Sequence, residues 1–245
     1  MRRTSLGVVA AALLTLTTGA SASQLTVGSG ATLDLGTGNL DLGCADLTVA
    51  GTLSAGTLGF GAARDLTIDP TGLVNGGSGS LQVAGDWSNA GTFNAGTSTV
   101  QLVDGCGLTS AVVDGNTTFA NLDMTTSSGK LYSFTSGSTQ TVTTSLTLMG
   151  EDSGDQLKIR STLAGSEAFL DLQGASQSAA HVDVQDNHAI GAPLELLGAS
   201  IKRANTLGWL NLAVPALSLL GLVGLGAILV ASGRRALRGR GGTRV

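Results

Sequence analysis

The sequence predicts an all-β chain whose body winds as a β-solenoid, and three observations lead there. First, short runs alternate apolar and polar residues with a period of two, as in Thr32-Leu33-Asp34-Leu35, Asp46-Leu47-Thr48-Val49, Asp65-Leu66-Thr67-Ile68 and Phe169-Leu170-Asp171-Leu172. Such alternation, bounded by Gly, Asn, Asp and Ser, marks half-buried strands. Second, 37 glycines suit tight corners where a chain changes direction. Third, Leu-Thr-Val-type triplets begin at Leu25, Leu47, Leu66 and Leu81. A loose period near 20 residues is what stacked coils produce. A second echo is Gly-Thr-apolar, at Gly51-Thr52-Leu53, Gly56-Thr57-Leu58 and Gly91-Thr92-Phe93. At roughly 20 residues per coil the body would make about nine coils, a rod near 40 Å long at ~4.8 Å per coil. A β-sandwich is the alternative, since it too has many short strands and frequent turns.

In chain order, residues 1–22 have the parts of a secretory signal: Arg2-Arg3, the apolar run Leu6–Leu16, and Ala20-Ser21-Ala22 as an A-x-A cleavage site. Residues 23–205 form the expected extracytoplasmic body and 206–211 a linker. All 17 acidic residues fall between Asp34 and Glu195, but only six of the 13 basic residues lie in this body. An acidic exported body argues against nucleic acid and anionic lipid headgroups as partners. Cys44 and Cys106 are the two cysteines. In an oxidising compartment they could form one disulfide; the alternative is two separately buried thiols. No cofactor motif is present: there is no phosphate-binding G-x-x-x-x-G-K-[ST] and no G-x-S-x-G.

Two polar clusters are candidates for chemistry. The run His181–His188 holds both histidines of the chain. Asp183, Asp186 and His188 are the residues that could act as general acid and base on a glycan. Against this, Asp183 alternates with Val182 and Val184 as an outward-facing strand residue, and Asp186-Asn187 reads as the next turn, with Asn187 suited to a left-handed corner. No supporting Arg or Lys cluster is evident near them. The loop Glu151-Asp152-Ser153-Gly154-Asp155 offers Asp152 and Asp155 as oxygen ligands for calcium, although it matches no known calcium loop and reads equally as an exposed turn.

From Ala204 to Gly233 no residue is charged. A helix over 212–233 would reach roughly 32 Å at ~1.5 Å per residue, enough to cross a bilayer core. Arg234, Arg235, Arg238 and Arg240 follow in the tail 234–245 and are expected to stay cytoplasmic. Pro215 would distort the first turn of that helix and leave a segment open to a protease. A plain single-pass anchor is the alternative.

Two resemblances bear on function. Gly85–Val100 and Gly115–Leu122 resemble the repeats of filamentous-haemagglutinin-like and autotransporter-like surface proteins, which implies a right-handed β-helix displayed outside a Gram-negative cell. Val214-Pro215-Ala216-Leu217-Ser218, followed by the apolar helix and Arg cluster, is similar to the C-terminal sorting domain named for Ile-Pro-Thr-Leu. Pro215, Leu217, Ser218 and Gly221 match it, whereas Leu219 and Leu220 replace its usual Glu and Trp. That resemblance implies recognition by a membrane-embedded exosortase-like transpeptidase. The expected function is therefore an exported, non-enzymatic rod with a structural or adhesive role, held at least transiently at the inner membrane and then at the envelope or surface. The alternative is a polysaccharide-cleaving β-helix enzyme.

Overall fold

The computed structural model describes Leu14–Thr17 and residues 24–174 and 176–212. The expected signal segment apart from Leu14–Thr17, the apolar helix, the sorting motif and the Arg tail lie outside the described residues. Among the described residues there is no helix, and none long and apolar enough to cross a membrane.

The body is a β-solenoid of about eight turns. Its neighbouring strands are parallel and come from successive coils, a pairing that a β-sandwich of antiparallel hairpins does not make. The first face stacks Gln24–Val27, Asp46–Val49, Leu66–Ile68, Trp87–Asn89, Ser110–Asp114, Leu131–Phe134, Leu157–Ser161, Val182–Val184 and Ile201–Lys202. Leu14–Thr17 pairs antiparallel with the first of these. The second face begins as Thr32–Asp34, Thr52–Ser54, Leu73–Asn75 and Thr92–Asn94. The third face runs from Asn39–Asp41 through Gly59–Ala63, Ser80–Val83 and Thr99–Leu102.

Further along, the corner between the second and third faces opens out. Thr117–Thr125 and Thr139–Met149 each pass from one face to the other without a break, with a register shift between Phe119 and Asn121. Ala168–Leu172 then stacks on the first half of Thr139–Met149 and Asn187–Gly191 on Ala168–Leu172, while Ser176–Ala180 stacks on the second half of Thr139–Met149.

Period-two alternation places one set of side chains in the lumen of every coil. On the first face Leu25, Leu47, Leu66 and Trp87 are in register, each buried. On the second, Leu33, Leu53, Val74 and Phe93 align. On the third, Leu40, Phe60, Leu81, Val100, Leu122 and Leu146 align. The triplet at Leu81 therefore belongs to the third face, and the residue that continues the Leu25–Leu47–Leu66 column is Trp87. The short last spacing, 15 residues from Leu66 to Leu81, came from mixing two faces. Trp87 packs edge-on against Phe93 at 5.1 Å and tilted against Phe119 at 5.2 Å, so the aromatic residues here form core.

The Gly-Thr-apolar echo resolves the same way. Gly51-Thr52-Leu53 and Gly91-Thr92-Phe93 enter the same face, but Gly56-Thr57-Leu58 is a corner. That corner repeats as Gly36, Gly56, Gly77 and Gly96, all at positive φ (54°, 67°, 63° and 59°). Thr57, Ser78 and Thr97 N–H groups donate to the carbonyls of Gly36, Gly56 and Gly77, so each corner hydrogen-bonds to the one below.

The stack continues through residues 206–211, which the composition suggests as a linker. Trp209 is fully buried, and its Nε1–H donates to the Asn187 carbonyl at 2.9 Å.

Candidate functional site

Two places gather charged and polar side chains. The first is the corner between the third and first faces. There Cys44 and Cys106 form a disulfide, with Cα atoms 5.6 Å apart across 62 residues of sequence. Cys106 sits in a loop closed by a Gly105–Leu108 bridge, and Leu108 lies over Gly85, one coil below. The loop leaves the fourth coil and reaches down the corner to Cys44 in the first.

Diverting this corner into a loop leaves carbonyls that the next coil would otherwise bind. Lys130, fully buried, supplies the missing donor: its ammonium donates to the carbonyls of Ala84 and Val103, 3.0 Å to the latter, and lies 5.1 Å from the Tyr132 ring centroid. Desolvation pushes its pKa down, opposed by the charges of Asp104, Asp86 and Asp65. Lys130→Met keeps most of the apolar stem but leaves the Ala84 carbonyl without its donor and the Val103 carbonyl with only the Tyr132 hydroxyl, at 3.3 Å. It is expected to cost about 2 kcal/mol in a denaturant melt; an unchanged midpoint would mean the ammonium is dispensable.

The second gathering is the predicted 181–188 cluster. Asp183 does point outward from the first face, but it is 3% exposed, contrary to a solvated strand edge. Arg203 donates to it through Nε at 2.6 Å and Nη2 at 2.8 Å, and Arg160 Nη2 lies 2.9 Å away. The basic support that seemed missing thus comes from the neighbouring coils on either side. Burial pushes the Asp183 carboxyl up, but the hydrogen bonds and charges of Arg203 and Arg160 outweigh that and hold it below the ordinary carboxylate range.

Asp186 occupies the following corner, and it, not Asn187, takes the left-handed conformation, at φ 53°. Asn187 instead starts a strand and is fully buried. The Asp186 carboxylate accepts from the Gly165 N–H at 3.2 Å and from Asn205 at 3.1 Å, and these bonds lower its pKa, the Gly165 bond most. Asn205 Oδ1 in turn lies 3.2 Å from His188 Nε2, and the Glu167 carboxylate is 3.9 Å from the same nitrogen. Asp183, Asp186 and His188 therefore follow one another round the outside of a corner, from the first face to the second. Each is tied to its own partner, and a carboxylate gripped by two guanidinium groups is a poor proton carrier.

Because the folded-state pKa of Asp183 lies below its unfolded value of about 3.9, its stabilisation is complete above that pH and is lost as pH falls through the folded value. Asp183→Asn is expected to cost about 2–3 kcal/mol at neutral pH, since it leaves Arg160 and Arg203 facing a neutral amide. It should also flatten the fall in stability below about pH 4. Denaturant midpoints at neutral and acid pH read both effects.

Asp152 is spent locally: its Oδ1 accepts from Gly154 N–H at 2.6 Å and Asp155 N–H at 3.1 Å, which lowers its pKa. Among the described residues no group of three His, Cys, Asp or Glu side chains is arranged to hold a metal. Two hollows of about 500 and 420 Å³ open along the corner that carries Lys130 and the Cys106 loop. One lies beside Asp104, Ser127 and Glu151, the other beside Arg64, Asp86 and Leu108. Composition hid Arg160, Arg203, Asn205 and Lys130. Arg160 and Arg203 sit 23 and 20 residues from Asp183, one coil each way, so the coil period is the signal that finds them.

Comparison with known proteins finds no matching family model, no matching curated protein and no matching solved structure.

Proposed function

We propose that the chain is an exported rod of a bacterial cell envelope, with a structural or adhesive role, delivered by its first 22 residues and held by the segment after Leu212. The observation that carries this reading is the Cys44–Cys106 disulfide. A bridge that ties the first coil to the fourth suits a compartment where thiols are oxidised, outside the cytoplasm. The signal-like N-terminus and the uncharged run from Ala204 to Gly233 support the same address. Processing at Val214–Ser218 by an exosortase-like transpeptidase rests on the resemblance of that motif, and a right-handed winding of the coils on the resemblance of the repeats. Protease added to intact cells tests the surface role. Loss of the body from whole cells is expected; protection until the outer membrane is broken would place the rod in the periplasm instead.

The alternative reading as a polysaccharide-cleaving enzyme gains nothing from the 181–188 cluster, whose carboxylates are engaged by Arg160, Arg203, Gly165 and Asn205.

A further inference from the structure

The rod is not uniform along its length. Eight large apolar side chains are exposed among the described residues, and six of them fall in the last two coils: Ile190, Leu197, Ile201, Leu207, Leu210 and Leu212, from 39% to 67% exposed. Charge obeys the same division. Between Gln24 and His181 there are fourteen acidic and four basic side chains; the last two coils, from Val182 to Leu212, hold three acidic, Asp183, Asp186 and Glu195, and two basic, Lys202 and Arg203. The repulsion from anionic surfaces expected of the whole body thus belongs to the first coils, not the last.

Among the described residues the sheets end at Ile201–Lys202 and Trp209–Asn211 beside exposed leucines, and such an end is a site for aggregation unless something covers it. The downstream sequence points to the cover. The final strand, Trp209–Asn211, runs directly into Leu212 and then a stretch with no charged residue before Arg234. The chain therefore leaves the rod at its most apolar end and continues with a sequence suited to lipid.

We propose that the last coil is a membrane-seating surface: its leucines and Ile201 enter the interfacial layer of the bilayer, and the acidic coils are held away. This inference rests on the reading of the chain as membrane-held. Apolar side chains at the headgroup boundary add affinity in proportion to the area they bury. The seat would fix the rod's orientation, which a tether alone would leave free.

The test uses the full chain, with its disulfide intact, reconstituted into vesicles of phosphatidylethanolamine and phosphatidylglycerol that carry a nitroxide quencher on the headgroup. A fluorophore is attached to Ile201→Cys, on the first face of the last coil and eleven residues before Leu212, to Leu207→Cys as a second reporter, or to Leu58→Cys in the second coil. Position 58 lies about seven coils from the end, roughly 34 Å at ~4.8 Å per coil. The seat predicts strong quenching at 201 and 207 and little at 58. Alkaline carbonate extraction reads the anchor separately. A chain that resists extraction but shows no quenching at 201 would overturn the seat and leave the anchor standing. Quenching at 201 in a chain that carbonate removes would keep the seat and overturn the anchor. A chain that does not float with the vesicles would overturn both.

Discussion

Removing the Cys44–Cys106 disulfide, by Cys44→Ser with Cys106→Ser, is expected to lower the unfolding free energy by about 4 kcal/mol, the loop-closure value for a ring of this size. The ring is long, and the bridge also pins a loop that would otherwise hang from the fourth coil. Its release should expose the corner carbonyls that Lys130 serves. Denaturant melts of the oxidised, reduced and double-Ser forms check this. Reduced and double-Ser chains should share one lowered midpoint. A midpoint unchanged by reduction would mean that the coils carry the fold without the staple.

The second large effect is expected at a glycine. Gly77 takes φ +63°, and a Cβ there would stand 2.2 Å from the Gly56 carbonyl oxygen and 3.0 Å from its carbon, both backbone atoms of the coil below. Gly77→Ala must therefore strain its own backbone and force two coils apart, at roughly 3 kcal/mol or more. Gly165→Ala is the control, because its φ is +82° but nothing lies within 4 Å of the new Cβ. It should cost only the conformational part, about 1 kcal/mol. Equal losses at the two sites would show that close stacking of the corner contributes little.

These two sites also show what was legible in the sequence. The all-β solenoid was, because alternation and glycine-bounded turns are local signals that survive without any alignment. Register was harder. Leu81 looks like the next member of the Leu25–Leu47–Leu66 series, but the matching position holds Trp87, larger and unlike in sequence, and interior packing accepts it because Phe93 and Phe119 enclose it. The corner glycines Gly36, Gly56, Gly77 and Gly96 carry the cleaner repeat, yet they are lost among 37 glycines until the coil stacking singles them out.

At the 181–188 cluster the outward direction of Asp183 was legible from alternation. Its burial was not, because the Arg160 and Arg203 side chains that cover it come from adjacent coils. Residues 206–211 look like a linker by composition, but Trp209 fills the end of the lumen and makes them the closing turn.

The measurement that bears most directly on the account is the intact mass of the protein recovered from its native envelope, with and without reduction. An exported, stapled rod predicts a chain that begins at Ser23, whether it ends within Val214–Ser218 after processing or runs through Val245 as an anchor, and that gains the mass of two hydrogens on reduction. A chain running intact from Met1 to Val245, with both thiols free before reduction, would contradict it.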